Sequence, residues 1–280
     1  MISKSRTLVM VPTYNESENV GVIVSGILST GLDADLLFVD DGSPDGTGAI
    51  LDRLAVGHPR LQVLHRAAKL GVGSAHKAGI RWAHQHGYIR LVTMDSDLSH
   101  SPVDIPRLLA ASNDTDVVVG SRFVEDNSLE GWIWYRKLMT RLGHLLTALL
   151  LRLPHDCTNA FRCYRLDRIP AQIFETVQSD GYSFFFESLH QLHASGTRIS
   201  QVAIKLPART YGHSKMKFRD IAYSVRLVFL LGWRSRLGRV LPDHAASAHV
   251  GEKAQADLAL HASQRTANKA SVDLKSASAP

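Results

Sequence analysis

Cysteine is almost absent: the 280 residues contain two, Cys157 and Cys163. Neither belongs to a Cys-x-x-Cys pair, which excludes a zinc knuckle or disulfide framework and fits a reducing cytosol. No His-Glu-x-x-His pattern occurs, so His84 with His86, and His190 with His193, lack the context of a metal site and read as surface residues. Long apolar runs are also missing. The nearest approach to the roughly 18 uncharged apolar residues of a spanning helix is "IAYSVRLVFLLGW", residues 221–233, which is short and interrupted by Arg226. "MISKSRTLVMVP" passes directly into a strand pattern, without an apolar leader of the usual length. A soluble or peripheral chain is expected.

Of what is present, a 45% hydrophobic content suffices for one sizeable core or two modest ones, and a net charge of +6 predicts an anionic partner. A phosphate ligand, a nucleic acid or a membrane surface would each qualify. "TLVMVPT", "DLLFVDD", "LQVLHR", "YIRLVTMD" and "DVVVGSR" read as strands, with helical patterns over 17–29, 45–56 and 72–86. Buried Val/Leu/Ile runs separated by helix-length segments predict βαβ units, hence an α/β domain with a mostly parallel central sheet flanked by helices. Ligands of such sheets bind at the carboxyl ends of strands. Four polar motifs fall there: Pro12-Thr13-Tyr14-Asn15-Glu16, Asp40-Asp41-Gly42-Ser43, Asp95-Ser96-Asp97 and Gly120-Ser121-Arg122.

Asp95 and Asp97 stand one residue apart where an apolar strand stops. In extended chain, positions i and i+2 share a face, so both carboxylates can enter one cleft. Two like charges that close favour a cation between them. Mg²⁺ or Mn²⁺ suits oxygen ligands of this kind, its shell completed by substrate phosphate oxygens, which predicts a nucleoside-diphosphate ligand. The alternative is a loop in which the aspartates bond backbone N–H groups. In "FVDDGSPDGTG", an acid at the strand end can bond base or ribose, while Asp45 is suited to capping the next helix. "LGVGSAHKAG" has Gly71-x-Gly73 but lacks the third glycine of a dinucleotide fingerprint, and reads as a turn into a helix. Arg122, Arg136, Arg209 and Lys215 supply cations for a second anionic ligand.

The second half changes character. "EGWIWYRKLMTRLGHLLTALLLRLP" aligns Leu138, Leu142, Leu145, Leu146, Leu149, Leu150 and Leu153 on one helical stripe, with Arg136, Lys137, Arg141 and Arg152 around it. Either this helix packs on the sheet, or its apolar side meets acyl chains while its cations meet phosphate. "KMKFRDIAYSVRLVFLLGWRSRLGR" is a second basic and apolar segment. Residues 242–280 are Ala-, Ser- and His-rich and predict a disordered tail.

"VPTYNE", "VDDGSPDGTG", "MDSDLSH", "GSRF", "YRKL" and "RTYGHSK" stand in the order and approximate spacing of polyprenol-phosphate sugar synthases. The chain resembles that family, inverting glycosyltransferases of family 2 with the GT-A fold, and among them the dolichol-phosphate mannose synthase type. The resemblance runs over about residues 6–235. It implies a Rossmann-like catalytic domain over 1–215, a basic-apolar interfacial segment over 216–241, and a tail beyond. The implied reaction moves a hexose, mannose from GDP-mannose before glucose from a UDP-sugar, onto a polyprenyl monophosphate. The implied setting is the cytoplasmic face of a membrane, held peripherally or through an anchoring subunit, with no nucleic-acid partner.

Residue by residue, the resemblance assigns Pro12, Tyr14 and Glu16 to the first nucleotide loop and Val39 and Asp41 to base and ribose. Asp95, Asp97 and Ser99 fall to Mg²⁺ or Mn²⁺, with Ser96 between the acids. Arg122, Arg209 and Lys215 fall to the donor diphosphate and acceptor phosphate, and Arg136 and Thr140 to the acceptor. Asp97, Arg122, Arg136 and Arg209 form the implied catalytic set. Glu187 falls in a region that lines the cleft in relatives. Ala160 in "TNAFR" and Ser96 depart from the family's usual glycine and alanine, leaving the sugar and the acceptor open.

Overall fold

The computed structural model describes residues 7–125, 128–129, 131–206 and 218–237. By compactness the chain divides into Met1–Trp233 and Arg234–Pro280, and of the second unit only residues 234–237 are described. Arg209, Lys215 and the tail over 242–280 therefore lie outside the described residues.

The strands are β1 (Thr7–Thr13), β2 (Asp35–Asp40), β3 (Leu61–His65), β4 (Arg90–Thr93), β5 (Val117–Ser121), β6 (Arg162–Arg165) and β7 (Ile199–Ala203). The helices are α1 (Val20–Ser29), α2 (Thr47–Gly57), α3 (Val72–Gln85), α4 (Ile105–Ala111), α5 (Trp134–Leu151), α6 (Gln172–Glu175), α7 (Phe184–Ala194) and α8 (Phe218–Arg236). One seven-stranded sheet runs β3-β2-β1-β4-β6-β5-β7. Only β6 is antiparallel to its neighbours, so the sheet is mostly parallel and the α/β expectation holds.

Every residue of β1 is buried, because helices cover both faces of a parallel sheet. Alternation then sends Leu8 and Met10 into one core cluster and Val9 and Val11 into the other. The first cluster gathers α3, α7, the end of α5 and the middle of α8; the second gathers α1, α2 and α4. Truncating Leu8 or Met10 to alanine would cost about 2–5 kcal/mol.

Strand order sets the position of the site. From β1 the chain crosses outward to β2 and β3, then returns through α3 to β4 on the other side of β1. The crevice beyond the carboxyl ends of β1 and β4 is the topological switch point. Because β6 runs the opposite way, the loop that precedes it, residues 153–161, emerges at the same edge.

The glycines of "LGVGSAHKAG" have a packing role. A Cβ on Gly73 would lie 2.5 Å from the Cβ of Phe184 and 2.8 Å from the carbonyl oxygen of Gly181. Ser74 N–H donates to the Asp180 carbonyl at 3.1 Å, so the start of α3 is held against the 180–184 turn. The stretch is a turn into a helix, as its spacing indicates.

The leucine-rich helix divides into two sides. Thr147 and Leu151 are buried and Leu146 and Leu150 pack on the core, whereas Leu138, Leu142, Leu145 and Leu149 are exposed. Leu153 is buried but lies past the helix, which stops at Arg152 with φ of 55°. In α8, a Cβ on Gly232 would come within 2.8 Å of the Leu150 carbonyl oxygen, so the two helices touch nearly backbone to backbone. Phe229, Leu230 and Trp233 remain exposed there.

Candidate functional site

Two loops at the switch point are stapled together. Asn15 N–H donates to Ser43 Oγ at 3.0 Å, Glu16 N–H to Thr47 Oγ1 at 2.9 Å, and Ser17 N–H to Asp45 at 3.1 Å. Asp45 also accepts from the Thr47 N–H at 3.0 Å, a turn bond one residue before the N-cap of α2, which is Gly46 and not Asp45 as its position suggested. Three hydrogen bonds to its carboxylate outweigh the effect of its partial burial and hold its pKa below the usual range. Asn15, with φ of 54°, turns the backbone so that consecutive N–H groups face the second loop. Glu16 accepts from Asn19 Nδ2 at 2.6 Å.

Asp40 and Asp41 serve different loops. Asp40 accepts from Thr13 Oγ1 at 3.2 Å and Ser43 Oγ at 2.5 Å. Asp41 accepts from Arg66 Nη1 at 2.7 Å and from the Leu70 N–H at 3.2 Å, which holds the β3–α3 loop against the end of β2. Burial pushes the Asp41 carboxyl up, and Arg66 and the backbone donors oppose that only in part. The ammonium of Lys69, from the same loop, sits 4.1 Å from the Tyr14 ring centroid. Pro12 and Val39 face each other across the β1–β2 pair and are buried in the sheet. Any contact they make with a ligand must be through the backbone at the strand ends.

The β1–β4 pairing continues past β4 through Met94 N–H to the Met10 carbonyl at 3.1 Å, which delivers Asp95 to the crevice. The Asp95 side chain is 34% exposed. Ser99 donates both its N–H, at 3.1 Å, and its hydroxyl to Asp97 Oδ1. Asp95, Asp97 and the Ser99 hydroxyl make an oxygen-only donor set, and Ser96 between them is buried. Among the described residues no group of three or more His, Cys, Asp or Glu could hold a metal by itself. Two carboxylates that leave the rest of the shell to phosphate oxygens and water fit Mg²⁺ or Mn²⁺ and do not fit a closed zinc site.

Arg122 follows β5. Its Nε and Nη2 grip Asp156 at 2.8 and 2.6 Å, its main-chain N–H adds a third bond at 3.1 Å, and Nη2 also reaches Thr158 Oγ1 at 2.5 Å. Asp156 is fully buried. Burial raises its pKa, but the guanidinium charge and its three donors outweigh that and leave it below the usual carboxylate range. β4 and β5 are both antiparallel to β6 between them, so Arg122 and the acidic pair leave the same end of the sheet. Phe123 stacks on His144 of α5 at 4.0 Å, which brings the exposed leucine side next to this corner. Arg136 lies 4.2 Å from the Trp132 ring centroid, and Trp132 is itself anchored by its indole N–H to the Leu206 carbonyl at 2.9 Å.

Three residues escaped the sequence reading. Asp156 and Asn159 lie in a short loop without periodicity, and the ion pair that reveals Asp156 spans 34 positions. His100 is buried at 2% exposure beneath the acidic turn, unlike the surface histidines the pattern suggested. His190 is also buried. Glu187 does not line the crevice: it is 2% exposed and accepts from the Gln178 and Ser179 N–H groups at 2.9 and 3.0 Å, fixing the turn before α7.

A mostly parallel sheet with an acidic pair at its switch point and a clamped arginine at the same edge places a candidate ligand site where α/β folds bind theirs. The family model described as Glycosyl transferase family 2 matches residues 8–169, and the chain belongs to that family. The polyprenol monophosphomannose synthase of Mycolicibacterium smegmatis is 38% identical over 237 residues, covering 84% of this chain and 89% of the relative. The undecaprenyl-phosphate mannosyltransferase of Micrococcus luteus is 39% identical over 212 residues, covering 75% and 87% respectively. The solved structure of S. aureus TarS 1-349 in complex with UDP-GlcNAc aligns with a TM-score of 0.51 at 17% identity, over 83% of this chain and 73% of that one. At that identity the likeness concerns the fold alone. No helix among the described residues is long and apolar enough to cross a membrane.

Proposed function

We propose that the chain transfers mannose from GDP-mannose to a polyprenyl monophosphate, with inversion at the sugar carbon. The observation that carries this reading is that Asp95 and Asp97 follow β4, and Arg122 follows β5, at the same end of the sheet, with Phe123 stacked on His144 of the helix that bears an exposed leucine face. The two curated relatives described above, named for mannosyl transfer to polyprenol carriers, support the choice of sugar and acceptor.

Asp95 and Asp97 would hold Mg²⁺ or Mn²⁺, with Ser99 orienting Asp97. The cation, when bound, neutralises charge on the departing diphosphate. The β1–α1 and β2–α2 loops, stapled together, and the Asp41-held loop that carries Lys69 would form the nucleotide side, with Tyr14, Glu16 and the strand ends at Pro12 and Val39. Arg122 would steady the diphosphate and the incoming phosphate together; Arg136 and Thr140, with Arg209 and Lys215, would serve the acceptor.

A phosphate monoester has a second pKa near 6 and is largely a dianion at pH 7. Its oxygen attacks the sugar carbon, the bond to the diphosphate breaks, and GDP leaves. The nucleophile needs no deprotonation, so catalysis rests on aligning two mutually repelling anions and stabilising the leaving group. The lipid acceptor also accounts for the exposed apolar residues of α5 and α8, whose helices carry Arg136, Lys137, Arg141 and Arg226. Those residues would lie on an anionic bilayer surface, peripherally and on the cytoplasmic side.

The test is a panel of GDP- and UDP-sugars offered with polyprenyl monophosphate and Mn²⁺, products identified by mass. Mannosyl transfer from GDP-mannose supports the assignment. Turnover of UDP-glucose alone, or transfer to a soluble alcohol alone, would overturn it.

A further inference from the structure

Beneath the acidic pair runs a buried polar chain whose hydrogen bonds all point one way. The Asp95 N–H donates to His100 Nδ1 at 2.9 Å. An accepting Nδ1 carries no proton, so the neutral ring has its proton on Nε2, which faces Asn159 Oδ1 at 2.8 Å. The same Oδ1 accepts from the Phe161 N–H at 3.2 Å, while Asn159 Nδ2 donates to the Gly120 carbonyl at 2.5 Å. His100 and Asn159 are 2% and 4% exposed, and the imidazole stacks on Phe161 at 5.0 Å.

The turn that this chain supports is strained. Leu98 has φ of 61°, an unfavourable conformation for a bulky side chain. It folds residues 96–100 back so that His100 reaches the main chain of Asp95, five positions earlier. The bond to His100 thus ties the main chain of Asp95 to the far side of the turn that carries Asp97.

We propose that His100 is a positioning residue for the acidic pair: Nδ1 fixes the main chain of Asp95, and Asn159 locks the ring in the tautomer that makes this possible. The inference rests on the reading of Asp95 and Asp97 as cation ligands. Partners behind the ligands of metal sites typically change metal affinity by about 10–100-fold.

Two substitutions separate the arms of the imidazole. In His100→Asn the amide oxygen replaces Nδ1, keeping the bond from Asp95 and losing Asn159. In His100→Gln the amide reaches Asn159 but leaves the Asp95 N–H without its acceptor. Mn²⁺ binding is followed by electron paramagnetic resonance in the presence of GDP, with folding checked by circular dichroism. His100→Asn should stay within about 3-fold of wild type and His100→Gln should bind about 10–100-fold more weakly. Equal binding by the two variants, with wild type binding Mn²⁺, overturns the role of His100 alone. No Mn²⁺ binding by wild type with GDP overturns the cation reading itself, and this inference with it. The ¹⁵N resonances of the wild-type imidazole supply a check that needs no variant: Nε2 protonated and Nδ1 bare agrees, and the opposite tautomer refutes.

Discussion

Replacing Asp156 with asparagine removes a charge from the one ion pair that anchors Arg122. The side chains of Asp156 and Arg122 are 1% and 10% exposed, so water cannot replace what is lost. Asparagine retains one acceptor oxygen and turns an NH₂ group toward the guanidinium, donor against donor. A buried cation left without its partner costs about 3–5 kcal/mol, a large share of a typical total of about 5–15 kcal/mol. The pH dependence follows from the lowered carboxyl pKa of Asp156. A carboxylate with a depressed folded-state pKa stabilises fully above its unfolded value, about 3.9, and loses that contribution as pH falls through the folded value. Urea unfolding from pH 7 downward should show a constant gap between wild type and Asp156→Asn to about pH 4.5, then a closing gap. A variant within about 1 kcal/mol of wild type at pH 7, or a gap unchanged at pH 3, would refute the clamp.

Other outcomes follow from the same packing and charge. His76 is fully buried, both ring nitrogens lack a hydrogen-bond partner, and burial, reinforced by the charge of Arg162, lowers its pKa to about 3. The unfolded chain takes up that proton near pH 6.5 while the folded one does not, so stability falls as pH drops from 6.5 toward 3. His76→Leu should flatten that slope in urea unfolding and add about 1 kcal/mol at pH 7; an unchanged slope would contradict it. Gly73→Ala, driving a Cβ against Phe184 and Gly181, should destabilise by about 1–3 kcal/mol in the same assay. Arg136→Ala should raise the KM for polyprenyl phosphate about tenfold and leave that for GDP-mannose near wild type, the size of one lost charged hydrogen bond; a change in donor KM alone would move the acceptor phosphate elsewhere.

Much of the fold was legible because β1 to β5 are apolar runs, and β1 matches "TLVMVPT" residue for residue. β6 was not: "RCYR" carries arginines at both ends, and Arg162 is buried with its donors satisfied by the carbonyls of Asn159 and Cys157 in the preceding loop and of Phe185 in α7. The four strand-end motifs did converge on one edge, since parallel strands point their carboxyl ends the same way. The supports of the site were hidden. Asp156 reaches Arg122 across 34 positions and Asn159 reaches His100 across 59, separations that no local pattern encodes. The leucine stripe was visible as a stripe, but which of its leucines are packed depends on a core cluster assembled from residues distant in sequence.

The central claim is that Asp95 and Asp97 grip a divalent ion together with a nucleoside diphosphate while Arg122 stands across from them. A crystal structure of the chain grown with GDP and Mn²⁺ tests this most directly. Anomalous density between the two carboxylates, in contact with the β-phosphate and with Arg122 facing the same phosphate, is the predicted result. Mn²⁺ at another site, or a diphosphate bound away from both aspartates, would contradict it.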